Sequence, residues 1–482
     1  MKKRVFFLML GILATTNLLY GYNYDFIVDG FFYIFNSSTS VTLTYPVDEE
    51  GRTRTYTNLN GELVIPETVE YNGTTYQVTL VGNEAFRNTG ITSLTIPNSV
   101  TMIGAYSFYG CNKLTSVSIG NAMKTIGVDA FSECTSLTTV NINSANNIMD
   151  CAFKGCINLT SLTLPNNLYN ISESAFRNCG LQSVTIPDRV SNIASNAFFG
   201  CSNLESVSIG KSVTNIDNNA FNNCRQLKHL IWNARNYEKS ISNGFLQSNV
   251  ETIIIGDQVE TLPNSFLYAS KITSLIIPNS VKVISGDSFS NCPNLTTLSI
   301  GTSLETIYRT AFTRCPSLGN IQVATGNAVY DSREGCNAII ERESNSLVLG
   351  CKTTFIPTSV KAINELAFSG CTGLTSIIIP ASVTKVGERA FSGCTGISKI
   401  TSQSQRPPVA YDNTFEGMNY QTCTLSVPSG SLQSYWTSTG WNNFENIIEE
   451  GSSVPVRGDI NGDGKVDIAD VNEVIDIMLG KQ

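Results

Sequence analysis

The sequence predicts a solenoid, a pile of similar coils that each contribute one short strand to a parallel sheet. Three observations carry this. Phe recurs about every 22 or 23 residues, usually behind Ala, Ser or Thr, at positions 86, 108, 131, 153, 176, 198, 221, 245, 266, 289 and 312, then at 368, 391 and 415. A Cys follows three residues later in most copies, as in Cys111, Cys134, Cys156, Cys179, Cys201, Cys224, Cys292, Cys315, Cys371 and Cys394. Between these markers runs a stretch of alternating apolar and small polar residues, such as Leu114-Thr-Ser-Val117-Ser-Ile119. A period of this length marks units that bury their apolar faces only by stacking on neighbours.

Within one unit the alternation reads as a half-buried strand, ended by Gly120 here and by Pro97 in the unit before. Apolar residues then return at wider spacing across Ile126, Ala130 and Phe131, which suits an irregular or one-turn helical return path. The unit Ile186-Pro-Asp-Arg-Val190-Ser-Asn-Ile193-Ala-Ser-Asn-Ala197-Phe198-Phe-Gly-Cys201-Ser-Asn-Leu204-Glu-Ser-Val207 resembles the leucine-rich repeats of the BspA-like family, and the resemblance spans roughly residues 80 to 420. It implies a leucine-rich repeat solenoid with a parallel sheet on the concave side and an irregular or short-helical convex side. It further implies a bacterial cell-surface or secreted protein, non-enzymatic, that binds or adheres to a protein or glycan partner.

Taken in order, residues 1–21 have the layout of a signal peptide: Lys2, Lys3 and Arg4, an apolar run from Val5 to Tyr20, and Leu19 and Gly21 before the expected cleavage point. No Cys lies near enough to carry a lipid anchor, so the expected location is secreted or cell surface, with no integral membrane segment once the leader is removed. Residues 22–80 hold aromatic alternating runs, including Phe26 to Phe35 and Val41 to Tyr45, and are expected to form a β-hairpin cap over the first coil. Repeats fill 81–323 and 355–400. Between them, residues 324–354 contain two strand-like runs about a turn near Glu343-Ser344, a β-hairpin insert. That hairpin places Cys336 opposite Cys351, either as a disulfide or as two strand-end packing residues. The ten in-register cysteines are expected to be reduced, packing inward as small hydrophobes. Residues 401–450, with Tyr435, Trp436, Trp441 and Phe444, are read as a C-terminal cap whose aromatics are core rather than ligand platforms.

After a linker at 451–457, residues 458–482 carry a calcium-type loop. Asp459, Asn461, Asp463, Asp467 and Asp470 supply oxygens at positions 1, 3, 5, 9 and 12, Lys465 offers its backbone carbonyl at position 7, and Gly464 makes the sharp turn. Hard oxygen ligands on a twelve-residue loop suit one Ca²⁺. Ile468, Val471, Ile475 and Met478 then recur at helical spacing. Asp in place of Glu at position 12, with no helix ahead of the loop, resembles the calcium repeat of dockerins, which implies a possible cohesin-like partner. Dockerins usually carry two such repeats and this chain has one. It therefore serves either as an attachment point to a polysaccharide-degrading assembly or as a structural calcium site.

Composition narrows the function. The formal charge is -8, and without Lys2, Lys3 and Arg4 the basic residues fall from 31 to 28 against 39 acidic ones, giving -11. A nucleic-acid partner needs a basic face and is not expected. A single histidine, His229, sits at an outward strand position, which leaves histidine-dependent catalysis with one unsupported candidate. Outward strand positions read Ser93/Thr95, Ser116/Ser118, Thr139/Asn141, Ser161/Thr163, Ser183/Thr185 and Ser206/Ser208, interrupted by Ile231, Ile254, Ile276 and Ile378. A glycosidase needs two converging carboxylates, and that surface offers none.

Overall fold

The structure, a computed structural model, describes residues 24–46, 56, 58–142, 144–217, 219–241, 249–267, 270–450 and 468–478. The expected signal peptide, the repeat phenylalanine at 245, the linker and the loop ligands from Asp459 to Asp467 lie outside the described residues. Contacts divide the chain into two units, residues 1–250 and 251–482. Each is a stack of coils.

In the first unit the expected strands form a broad parallel sheet: Asn60–Val64, Gly90–Ile96, Ser116–Ile119 and Thr139–Asn141 pair in sequence order, as do Ser183–Thr185, Ser206–Ile209 and His229–Trp232. Register is kept across the stack, with Val117 opposite Leu94 on one side and Val140 on the other. The return path is not helical. It forms a second, narrow parallel sheet of two-residue strands, Met102–Ile103, Thr125–Ile126 and Asn147–Ile148, in which Ile103, Ile126 and Ile148 stack. β-Branched Ile at this point favours extended backbone over a helical turn.

The marker residues form columns. Phe86, Phe108, Phe131, Phe153, Phe176, Phe198 and Phe221 are all buried, and successive rings lie nearly parallel at 5.1–5.7 Å. Each turn is bent by left-handed residues on either side of its Phe, such as Asp129 (φ 51) and Glu133 (φ 61) around Phe131. That conformation costs about 1 kcal/mol for a non-Gly residue. Backbone bonds from coil to coil, Phe131 N–H to the Ala152 carbonyl at 2.8 Å and Glu133 N–H to that of Lys154 at 2.7 Å, hold it. Gly110, Gly155 and Gly200 take the second of these positions without that cost.

The Cys column has a definite role. Most of these thiols donate to the carbonyl of the Phe one coil earlier, as Cys134 does to Phe108 at 3.2 Å, Cys156 to Phe131 at 3.2 Å and Cys201 to Phe176 at 3.1 Å, whereas Cys292 donates to the Leu267 carbonyl at 3.5 Å. Thr89, at the same repeat position, bonds the Phe86 carbonyl and the Cys111 thiol instead. All fourteen cysteines are free thiols. Burial pushes the Cys224 and Cys371 thiols up to about 12, well above the roughly 8.5 of a free thiol. The unfolded chain therefore loses these protons first as pH rises. Stability is held below about pH 8.5 and declines toward pH 12. Urea midpoints measured from pH 7 to 11 should show this decline, and Cys224→Ala should make it shallower. An unchanged slope in that variant would count against the buried, neutral thiol.

The caps differ from expectation in where stacking begins. Antiparallel Phe26–Val28, Phe31–Phe35 and Ser40–Thr44 do form the predicted hairpins, closed by Phe26 against Tyr33 and Tyr71. Asn60–Val64, however, already pairs in parallel with the first repeat strand, so coiling starts inside the expected cap. Leu63 and Ile65 point inward there without any Phe or Cys marker.

In the second unit, Ser274–Ile277, Thr297–Ile300 and Asn320–Val323 form one broad sheet, and Ser376–Ile379, Lys399–Ser402, Thr424–Val427 and Asn446–Glu449 another. The insert forms as a hairpin of Ile339–Glu341 and Ser346–Leu349, with Asp331 held between Arg333 and Arg342. Cys336 and Cys351 do not pair. A register shift between Ile339 and Ile340 staggers the strands, and the Cys351 thiol donates to the Asn337 carbonyl at 3.2 Å. Around the hairpin the turn column closes again: Arg314 N–H donates to the Ser369 carbonyl at 2.9 Å and Arg309 pairs with Glu365, 56 residues away. At the C-terminal end Tyr435, Trp441 and Phe444 are buried around Phe415, with the Trp441 indole N–H bonded to the Pro408 carbonyl at 2.8 Å. They are core, as expected.

Candidate functional site

Alternation along each broad-sheet strand sends one row inward and the next outward. The inward row, including Val117, Val140, Val184 and Val207, is buried. The outward row is the expected carpet of hydroxyls and amides, from Ser93 and Thr95 to Ser206 and Ser208 in the first unit, and Ser274, Thr297 and Ser299 in the second. Outward charge on the described broad-sheet strands is confined to Glu62 and Lys399, with His229 exposed as predicted. No two outward carboxylates meet on these strands, so the acid–base pair that glycoside hydrolysis requires is missing from the face where a polymer would lie.

Apolar side chains break the carpet where the sequence placed them. Ile254, Ile276 and Ile378 are 62%, 69% and 54% exposed in the second unit, and Ile231 is exposed in the first. Single exposed aliphatics are ordinary. Set one to a coil amid neutral hydroxyls, they make a surface able to bury area without desolvating charge.

A cavity of about 330 Å³ lies on the opposite side of the second unit beside the insert, lined by Arg309, Glu365, Lys385, Glu388 and Tyr411. Each of its charged side chains has a neighbour: Arg309 pairs with Glu365, Glu388 accepts from Asn413 at 3.2 Å, and the Lys385 ammonium lies 5.8 Å from the Tyr411 ring centre. This cleft is an accommodation of the insert rather than a reactive centre.

Of the six expected calcium ligands, Asp470 lies within the described residues. It is buried in the first turn of the helix Ile468–Met478. The predicted apolar positions Ile468, Val471 and Ile475 face outward and are 74%, 52% and 46% exposed, joined by Val474 and Ile477. The helix thus buries the Asp470 carboxylate and exposes these aliphatic side chains, the reverse of a helix docked on its own core. Among the described residues no helix is long and apolar enough to cross a membrane.

A family profile described as the BspA type leucine rich repeat region, with six copies, matches residues 79–205, 146–269, 191–319 and 344–448. Among solved structures, a leucine-rich repeat protein from Bacteroides ovatus is 25% identical, with 89% of this chain and 100% of that chain covered and a TM-score of 0.51. A leucine rich cell surface protein from Faecalibacterium prausnitzii is 25% identical over 91% of this chain and 96% of that one, with a TM-score of 0.41. No curated protein is similar to the chain.

Proposed function

The chain belongs to the BspA type leucine-rich repeat family, and we propose that it is an exported, non-enzymatic binding or adhesion protein that holds a protein or glycan through the outward face of its broad sheets. Members of this family are in general binding proteins. The observation that carries the reading is the outward row itself, neutral and hydroxyl-rich on coil after coil with isolated aliphatics, which favours many weak contacts over one reactive pocket. A surface of this kind binds through shape and hydrogen bonding, with little sensitivity to salt. The test is adhesion of the chain ending at residue 450 to immobilised matrix proteins and glycans. Binding equal to that of the full chain is the expected result, and binding that disappears with the tail would reject the reading.

The tail supports a second role. Asp459, Asn461, Asp463, Asp467, Asp470 and the Lys465 carbonyl form a donor set of hard oxygens suited to Ca²⁺, and the bury-carboxylate, expose-aliphatic pattern of the helix fits a module whose apolar side meets another protein. In this reading the chain is an accessory component of a polysaccharide-degrading assembly, attached through a cohesin-like partner. Titrating Ca²⁺ into the full chain should give a calorimetric signal for one ion, and Asp470→Ala should weaken it at least tenfold. The chain ending at 450 should give no signal. A full chain that neither responds to Ca²⁺ nor captures a cohesin-like protein differently with and without chelator would remove this role.

A further inference from the structure

One coil of the first unit departs from its neighbours. Residues 159–164, Leu159-Thr-Ser-Leu-Thr-Leu164, have the same alternation as every other repeat strand, yet form no strand. The broad sheet ends at Thr139–Asn141 on one side and resumes at Ser183–Thr185 on the other, and the narrow sheet stops between Asn147–Ile148 and Asn170–Ile171. Among the described residues no backbone N–H or carbonyl of 161–164 pairs with another backbone group. The opposite edge of the same coil stays closed: Cys151, Phe153 and Gly155 donate to the carbonyls of Glu173, Ala175 and Arg177 at 2.8–2.9 Å. The coil is wedged open on its broad face and clamped at its Phe turn, where the Phe153–Phe176 spacing of 5.7 Å is the widest in the unit's Phe column. Leu162, in the row where Val117 and Val207 are fully buried, is only half-buried.

Over this split lies a cavity of about 560 Å³ lined by Thr139, Asn141, Ser161, Thr163, Ser183 and Thr185, with Leu162 among its walls. That is within the range of about 300–1,000 Å³ common to small-ligand clefts. Its lining holds no ionised side chain and no aromatic ring. We propose that this split coil is a binding trough for a neutral oligosaccharide. The inference rests on the surface-binding reading and assigns it a place and a ligand class. Unpaired main-chain groups require partners, and a sugar hydroxyl serves both kinds because it donates and accepts at once. Side-chain hydroxyls and amides on three successive coils extend the same chemistry, and Leu162 offers an apolar patch for the C–H face of a sugar ring. An ionic ligand would meet no counter-charge.

The test uses the full chain with maltohexaose, cellohexaose and xylohexaose as probes, read by calorimetry and by amide hydrogen exchange. Without ligand the amides of 161–164 should exchange far faster than those of Ser116–Ile119, and one or more probes should slow them at least tenfold. Thr163→Lys, at an exposed position, should weaken that binding at least tenfold, whereas Ser118→Lys on the paired coil two positions away should change it less than twofold. Thermal unfolding of both variants should match the parent. The proposal is overturned by no probe protecting 161–164, by equal affinity in Thr163→Lys, or by an uncharged extended peptide protecting the segment in place of the sugars. A partner that binds elsewhere while 161–164 stays unprotected overturns the trough and leaves the surface-binding reading intact. Loss of all binding by the chain ending at 450 overturns both.

Discussion

Replacing Phe131 with Ala should destabilise the first unit by about 4 kcal/mol, the middle of the range for deleting a buried aromatic ring. The ring is fully buried and lies between Phe108 at 5.2 Å and Phe153 at 5.3 Å, so its loss removes two stacked contacts and leaves a void in the column. Nearest-neighbour coupling governs such arrays, so damage at one coil weakens the interfaces on both sides. Urea unfolding followed by circular dichroism should show a lower midpoint and a broadened or divided transition. Tyr169→Ala, at a half-exposed ring, should shift stability by about 0.5 kcal/mol. Equal effects at the two sites would mean that the Phe column is not what holds the coils together.

Gly127→Ala should cost about 3 kcal/mol, at the upper end of overpacking penalties, for a different reason. A Cβ at Gly127 would lie 2.7 Å from the Gly104 carbonyl carbon and 2.8 Å from the Ala105 nitrogen, both backbone of the preceding coil. Those atoms cannot rotate away, so the coils must separate beyond their spacing of about 4.8 Å. Gly120 meets the Pro97 backbone at 2.6 Å in the same way. At Gly286 the nearest atoms are the Asn264 and Thr310 side-chain ends at 3.1 Å, so Gly286→Ala should cost under about 1 kcal/mol. Comparable thermal shifts for Gly127→Ala and Gly286→Ala would show that backbone contact between coils is not limiting.

Much of this architecture was readable from the chain because a repeat states its message many times. The Phe and Cys registers predicted the two inner columns, and strand alternation predicted which Ser, Thr and Ile face outward, including Ile254 and Ile276. The narrow second sheet was missed, since two-residue strands at Thr125–Ile126 leave no alternation to read. So was the start of coiling at Asn60–Val64, which has the inward residues of a repeat but none of its markers. The unpaired Cys336 and Cys351 depend on a local register shift that spacing does not encode. At the split coil the nearest signal is Cys179-Gly-Leu181, one residue shorter than the usual Cys-x-x-Leu, where a Cβ on residue 180 would clash with the Ile157 carbonyl oxygen. Thr89-Gly-Ile91 is shortened likewise and keeps its strand, so the shortening alone does not split a coil.

The free, carbonyl-bonded thiols have a consequence for how this protein matures. Its coils are joined without a single covalent bridge, so reaching the native state requires neither an oxidase nor an isomerase to sort cysteine pairings. Once folded, the thiols other than that of Cys151 are buried under neighbouring coils, and most of the repeat column is bonded to backbone oxygens, which hides them from small disulfides and peroxides. The molecule should keep its shape equally well in anaerobic and in aerated surroundings.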